Sequence, residues 1–452
     1  MSSRAQSRDL HFPPEVELPR LRSGRQGRRR REGGAWTGAF GSILVSALLL
    51  AAVPAHGQLD VAGAAGRGEE LTVYVMTMGP GAYVWERFGH NAIRIRDELR
   101  GTDVSYNYGM FSFDQEGFVL RFIRGHMDYW MEGFDTGLTV NAYAATDRSV
   151  WMQELNLTPE QRADLRDFLE WNALPDNRVY RYDYYRDNCS TRVRDAIDRV
   201  LEGQLAAQTM DLPSGTTYRQ HTRWLMADDP VVYTGIMAGT GQPVDREISI
   251  WEEMFLPMVL RDRIRDVTVV DAAGNTVPLV VAEELVHAGS ASEERAESPG
   301  LLVYLIAGLL VGGAMWGTAR ASGGSRLART AFQLLAFLWA VVAGTIGMIL
   351  FGAWAFTDHA AAYRNENLFL FNPLLVPLIA MVPAAAGRAL RIRRATCFLA
   401  AVVASLSLIG LLVTLLPWFY QENGELLAVA LPINLGLAIG AWEVWRRPET
   451  KE

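Results

Sequence analysis

Cysteine is nearly absent: Cys189 and Cys397 are the only two in 452 residues, which excludes a disulfide framework. HExxH and CxxC patterns are missing and the histidines are scattered, so no metal site and no cofactor is expected. No unit of roughly 20–50 residues recurs, which excludes a repeat architecture. Positive charge is concentrated at the start, where residues 1–34 hold nine Arg against four acids. Without that net +5, a chain of −7 falls to about −12. So acidic a surface gives no electrostatic basis for binding nucleic acid.

What the chain does have is apolar sequence, unevenly spread. The basic start is followed by an uncharged stretch with the apolar run Ile43 to Val53 and small residues near Ala55. Together, residues 1–57 read as a signal peptide. No cysteine follows the run, so a lipid-anchored N-terminus is not expected. Further apolar runs lie near 300–317, 331–356, 368–386, 396–417 and 426–444. A span needs roughly 20 such residues, so five transmembrane helices are expected within 300–446. Arg320, Arg326 and Arg329 follow the first run, Arg388, Arg391, Arg393 and Arg394 the third, and Arg446 and Arg447 the fifth. The other loops carry Asp358, Glu366, Glu422 and Glu425. The positive-inside rule then places the C-terminus in the cytoplasm of a bacterial inner membrane and residues 58–288 outside, with 289–299 as linker.

The outer domain reads as α+β. Leu71–Met78, Asn91–Arg96 and Asp103–Phe113 have strand character, and 139–156 is expected to add one or two more strands. Thr158-Pro159-Glu160-Gln161 opens a helix with a capping box. A second helix runs from Cys189 to about Glu202, with Val193, Ile197, Val200 and Leu201 on one face. Trp251 to Ile264 reads as one amphipathic helix, and Val267–Val270 with Val277–Val281 as a hairpin.

The chemistry centres on Cys189. It is the one thiol on the outer side, and the N–H groups of a helix start favour the thiolate, which describes a nucleophile. A base is required, and His90 stands out in Arg87-Phe88-Gly89-His90-Asn91, between a glycine turn and a strand. Asn107, on the next strand, is expected to orient the ring. Helix N–H groups after Cys189 are expected to hold an oxyanion. Strand alternation, however, puts His90 with Arg94 and Arg96, opposite Ile93 and Ile95. For His90 to face the Cys189 helix, the strand must begin after it or a bulge must re-aim it. Against this stands the plainer alternative, in which a lone cysteine is a small buried hydrophobe and a lone histidine is structural.

Five stretches resemble the Lnb family of lipoprotein N-acyltransferases: Phe88-Gly89-His90-Asn91; Tyr106-Asn107-Tyr108-Gly109-Met110-Phe111; Tyr184-Tyr185-Arg186-Asp187-Asn188-Cys189-Ser190-Thr191; Trp251-Glu252-Glu253-Met254-Phe255-Leu256-Pro257; and Arg364-Asn365-Glu366-Asn367-Leu368-Phe369-Leu370-Phe371-Asn372-Pro373. The resemblance covers most of the chain from about Leu71. It implies a periplasmic thiol domain on five membrane helices, and a circularly permuted papain-like fold of the NlpC type. It further implies Cys189 as nucleophile and His90 as base, with Asn188, Ser190, Tyr108, Arg192 and Arg364 on the substrate side. The implied partners are a phospholipid acyl donor and a lipoprotein acceptor at the membrane. The alternatives are a membrane-tethered cysteine amidase or peptidase acting on peptidoglycan, and a non-enzymatic sensor or scaffold.

Overall fold

The computed structural model describes residues 67–290, 298–386 and 389–445. The expected signal peptide, part of the linker, and Arg388, Arg446 and Arg447 lie outside the described residues.

Alternation of apolar residues drives the first strands. β1 (Leu71–Met78) pairs antiparallel with β2 (His90–Asp97), which pairs with β3 (Thr102–Met110). The short helix α1 (Phe118–Arg124) leads to β4 (Asp128–Asp135). Residues 139–156, expected as strand, divide into the end of helix α2 (Thr136–Ala145) and β5 (Val150–Leu155). Asp135 caps α2 by accepting from the Leu138 N–H, a local bond that overrides the β-branched content. α3 (Pro159–Asn172) begins at the Thr158 capping box, as its sequence predicts. Then follow β6 (Val179–Arg181) and α4 (Cys189–Val200).

Beyond α4 come α5 (Gln204–Thr209), β7 (Pro213–Thr217), α6 (Tyr218–Met226), α7 (Pro230–Gly239) and β8 (Glu247–Ser249). The expected helix from Trp251 is broken into α8 (Ile250–Glu253) and α9 (Pro257–Ile264) because Pro257 cannot continue a helix but suits a first turn. β9 (Thr268–Val270) and β10 (Thr276–Pro278) form the hairpin. β11 (Val280–His287) then rejoins the main sheet. Among the described residues that sheet has seven antiparallel strands, in the order β11-β5-β1-β2-β3-β4-β6. Val73, Val75, Ile93 and Ile95 bury one face against α3, α4 and α9. Met76, Met78 and Ala92 bury the other with Val140 and Tyr143 of α2.

Five helical segments are long and apolar enough to cross a membrane. They are α10 (Leu301–Ala321), α11 (Arg326–Phe356), the segment Glu366–Ala385 ending in α12 (Val376–Ala385), α13 (Leu390–Val413) and α14 (Gly424–Trp445). A Cβ on Gly436 would lie 2.4 Å from the Gly312 carbonyl, so α10 and α14 touch backbone to backbone.

The two parts are joined by polar groups. The last carbonyls of a helix have no partner within it, and those of α7 are met by amides of the membrane domain. Asn365 donates to the Ala238 carbonyl at 2.8 Å, and Asn367 to Ala238 and Met237 at 3.0 and 3.2 Å. Gln421 donates to the Thr240 carbonyl at 3.0 Å, and Gln242 to Glu366 at 2.6 Å.

Candidate active site

Cys189 is the first residue of α4, and Asn188 is the cap. The Asn188 Oδ1 accepts from the N–H groups of Ser190 and Thr191 at 2.9 and 3.0 Å. Its Nδ2 donates to the carbonyls of Tyr184 and Phe255. The Ser190 hydroxyl donates to the Met254 carbonyl at 2.7 Å, and Arg194 to that of Trp251 at 2.6 Å. The α8 turn thus finds donors for its unpaired carbonyls on the first turns of α4, which pins the cysteine in place.

His90 remains in strand register, opposite Met78, at the end of the sheet where α4 arrives. Neither expected remedy is used: β2 includes His90 and has no bulge. The irregularity lies on β3, whose pairing with β4 shifts between Asn107 and Met110. Gly109 sits there with φ 87°, and a Cβ on it would lie 3.5 Å from that of Cys189. The imidazole points to the α2 side, stacked on Tyr143 with ring centroids 6.1 Å apart. Cys189 comes from the α4 side, and the Asn91 backbone N–H lies close enough to favour its thiolate. Cys189 and His90 therefore approach the strand end from opposite faces. Among the described residues no hydrogen bond joins the thiol to the imidazole.

The His90 Nε2 lies 3.1 Å from the Asn107 Oδ1. Asn107 Nδ2 donates to the Ser105 carbonyl and hydroxyl, so its oxygen faces the ring. The ring must then carry its proton on Nε2 and keep a lone pair on Nδ1. Burial, together with the nearby Arg148 cation, lowers the His90 pKa to about 4. The expected easy ionisation of Cys189 is opposed: burial pushes the thiol up, against the N–H groups of Asn91 and Ser190 and the charge of Arg148, which pull down. Both shifts favour the neutral form, of the thiol and of the imidazole.

The structure places the other expected site residues as follows. The N–H groups of Ser190 and Thr191 are occupied by Asn188, while the Asn91 N–H, beside Ala92 where pairing with β3 stops, is a further backbone donor close to the thiol. Asn188 and Ser190 are buried, with their side chains bonded to the first turn of α4, the Tyr184 carbonyl and the segment just after α8. Tyr108 is core, its hydroxyl donating to Asn172 at 2.8 Å. Arg192 is paired with Asp187 and lies over the Tyr180 ring at 4.3 Å. Arg364 is exposed on the loop after α11, with a left-handed backbone (φ 51°).

The other outer histidines are used elsewhere. His126 pairs with Asp358, His221 with Glu253, and His287 ends the outermost strand. Arg148 was not foreseen. Its Nε donates to the Gly79 carbonyl at 2.9 Å and its guanidinium lies 4.7 Å over Tyr143, with one terminal nitrogen buried and unpartnered. It lies in an ordinary turn before β5, where nothing in the sequence marks it. Among the described residues no cluster of three His, Cys, Asp or Glu exists that would hold a metal.

Comparison with known families gives two matches. The model of the Lnb N-terminal periplasmic domain matches residues 64–223, and that of the Lnb transmembrane domain matches residues 297–441. No curated protein and no solved structure matches the chain.

Proposed function

The chain belongs to the Lnb family, a multi-pass membrane protein with a periplasmic N-terminal domain, and on that premise we propose that it is a lipoprotein N-acyltransferase working through Cys189. One observation carries this reading: the strand end that gathers Cys189, His90 and Asn107 belongs to a domain bonded to the membrane helices through Asn365, Asn367 and Gln421. A thiol held at a fixed place beside a bilayer suits substrates that are both anchored in lipid. A soluble substrate would need no such anchorage.

In the first half-reaction the His90 Nδ1 takes the thiol proton as Sγ attacks an ester carbonyl of a phospholipid. The oxyanion accepts from the Asn91 N–H. Collapse expels the lysophospholipid oxygen, which takes the proton back from the imidazolium, and leaves a thioester on Cys189. In the second, the free amine of a lipoprotein's N-terminal cysteine attacks the thioester. His90 accepts the amine proton and returns it to the departing thiolate, giving an amide and free Cys189. The neutral His90 suits both transfers. A helix-borne nucleophile packed on a sheet whose strand carries the base is also the logic of permuted papain-like enzymes. We place the five spans in the inner membrane with the C-terminus cytoplasmic, in keeping with the arginines at one set of loops.

The test is to express the protein and its Cys189→Ala variant in a host whose own lipoprotein N-acylation is depleted, then read a lipoprotein's N-terminal peptide by mass spectrometry. An amide-linked acyl group with wild type only is the expected result. An unmodified lipoprotein, with folded wild-type protein present, overturns it in favour of a peptidoglycan amidase.

A further inference from the structure

No residue of α1 is buried: Val119, Leu120, Phe122 and Ile123, with Phe113 before it, are all more than 40% exposed. A patch of this kind on an exported domain marks a contact surface. Its position says with what. The Arg124 carbonyl accepts from the Asp358 N–H at 2.8 Å, and the Phe122 carbonyl lies 2.8 Å from His359 Nε2. Arg181 and His126 both meet the Asp358 carboxylate, at 2.9 and 2.7 Å. Gly125, at φ 79°, closes the approach, since a Cβ there would lie 2.8 Å from the Asp358 backbone. Asp358 follows directly on α11, whose last turn exposes Trp354 and Phe356. The apolar face of α1 is thus continuous with the lipid-facing end of a membrane helix. Arg121 and Arg124 stand in its last turn, as cations do on helices that lie in a headgroup layer.

Behind α1 runs a row of aromatic rings. Phe118 stacks on Phe111 at 6.3 Å, Phe111 on Tyr129 at 5.1 Å and Tyr129 on Tyr182 at 4.3 Å. A Cβ at Gly109 would lie 3.8 Å from the Tyr182 ring and 3.5 Å from the Cys189 Cβ, so the row ends at the thiol. Its members are half-buried.

We propose that the exposed face of α1 sits in the leaflet facing the thiol domain, and that the aromatic row is the path by which an acyl chain of a bilayer lipid reaches Cys189. The path rests on the acyl-transfer reading; the seating of α1 does not.

The test uses the full chain in nanodiscs of phosphatidylethanolamine and phosphatidylglycerol. In a Cys189→Ser, Cys397→Ala background, Leu120→Cys or Ile123→Cys carries a nitroxide, and its collision rates with oxygen and a nickel chelate are read by spin resonance. Labels at Leu99→Cys, on the β2–β3 turn, and Ile349→Cys, on α11, give the water and lipid references. Oxygen-dominated relaxation matching Ile349→Cys is expected. Nickel access matching Leu99→Cys overturns the seating, and so does loss of access to both, which means a protein covers the face. For the path, a phospholipid with a diazirine on its acyl chain is photolysed with Cys189→Ser protein. Adducts within 111–129 and 180–184 are expected, and adducts confined to the five spans overturn the path. If lipid is found at both places but wild type forms no thioester, the seating stands and only the transfer reading falls.

Discussion

The 3.1 Å contact between His90 Nε2 and Asn107 Oδ1 leaves Nδ1 as the imidazole nitrogen with a free lone pair, because Ser105 holds the Asn107 amide from its other end. His90→Ala should lower the rate of acyl-enzyme formation by about 10²–10⁴-fold, the usual worth of a general base. Asn107→Ala leaves the ring in place with its tautomer unfixed, so a smaller loss of about ten- to a hundredfold is expected. Single-turnover thioester formation followed by intact-mass spectrometry gives both numbers. An Asn107→Ala variant as fast as wild type removes the orienting role.

The Arg148 charge sets a pH signature. A cation disfavours imidazolium and favours thiolate, so it helps hold His90 down near 4 while opposing the upward push of burial on Cys189. The acid limb of the acylation profile should therefore lie near pH 4 rather than at the ordinary imidazole value. Arg148→Gln should move that limb to higher pH and also raise the pH at which iodoacetamide reactivity appears. A purely structural Arg148 would lower amplitudes and move neither limb.

The strands β1 to β3 and the capped helix α3 were legible because period-2 alternation and the Thr158–Gln161 box are local signals. Cys189 at a helix start was legible for the same reason, and Asn107 near His90 from the succession of two neighbouring strands. What local reading could not see was a meeting across the sheet. Alternation correctly put His90 opposite the α4 side. Only the tertiary approach of α4 to the strand end brings Cys189 to Asn91, and only the β3 irregularity at Gly109 makes room for it. Arg148 and Tyr143 come from a turn and a helix with no motif of their own. Asn188, Ser190 and Tyr108 were expected on the substrate side, and the structure finds their side chains in internal hydrogen bonds, because a polar residue that faces a ligand is indistinguishable, in sequence, from one that builds the scaffold beside it.

That scaffold role has a measurable consequence at Asn188. Its side chain accepts two helix N–H groups and donates to two carbonyls, one of them across to Phe255. Asn188→Ala should cost about 1–2 kcal/mol for the lost cap alone, read as a fall in unfolding midpoint in detergent. Asn188→Asp keeps the acceptor and should recover part of the loss. A variant of unchanged stability but raised KM for lipid would return Asn188 to the substrate side.

The docking of the two domains makes the last prediction, and it turns on a shared acceptor. The Ala238 carbonyl receives donors from both Asn365 and Asn367, at 2.8 and 3.0 Å, and it is a buried helix-end carbonyl with no partner inside α7. Removing either amide leaves it one donor; removing both leaves it none. An unsatisfied buried carbonyl costs about 1–3 kcal/mol. The Asn365→Ala, Asn367→Ala double variant should therefore lose more stability than the two single losses added. Residues in one network couple in this way, whereas independent sites add. Unfolding midpoints of the four proteins in the same detergent supply the comparison. Strict additivity would mean that the two asparagines support the loop separately, and that the hold of the thiol domain on the membrane domain rests on Gln421, Gln242 and Glu366 instead.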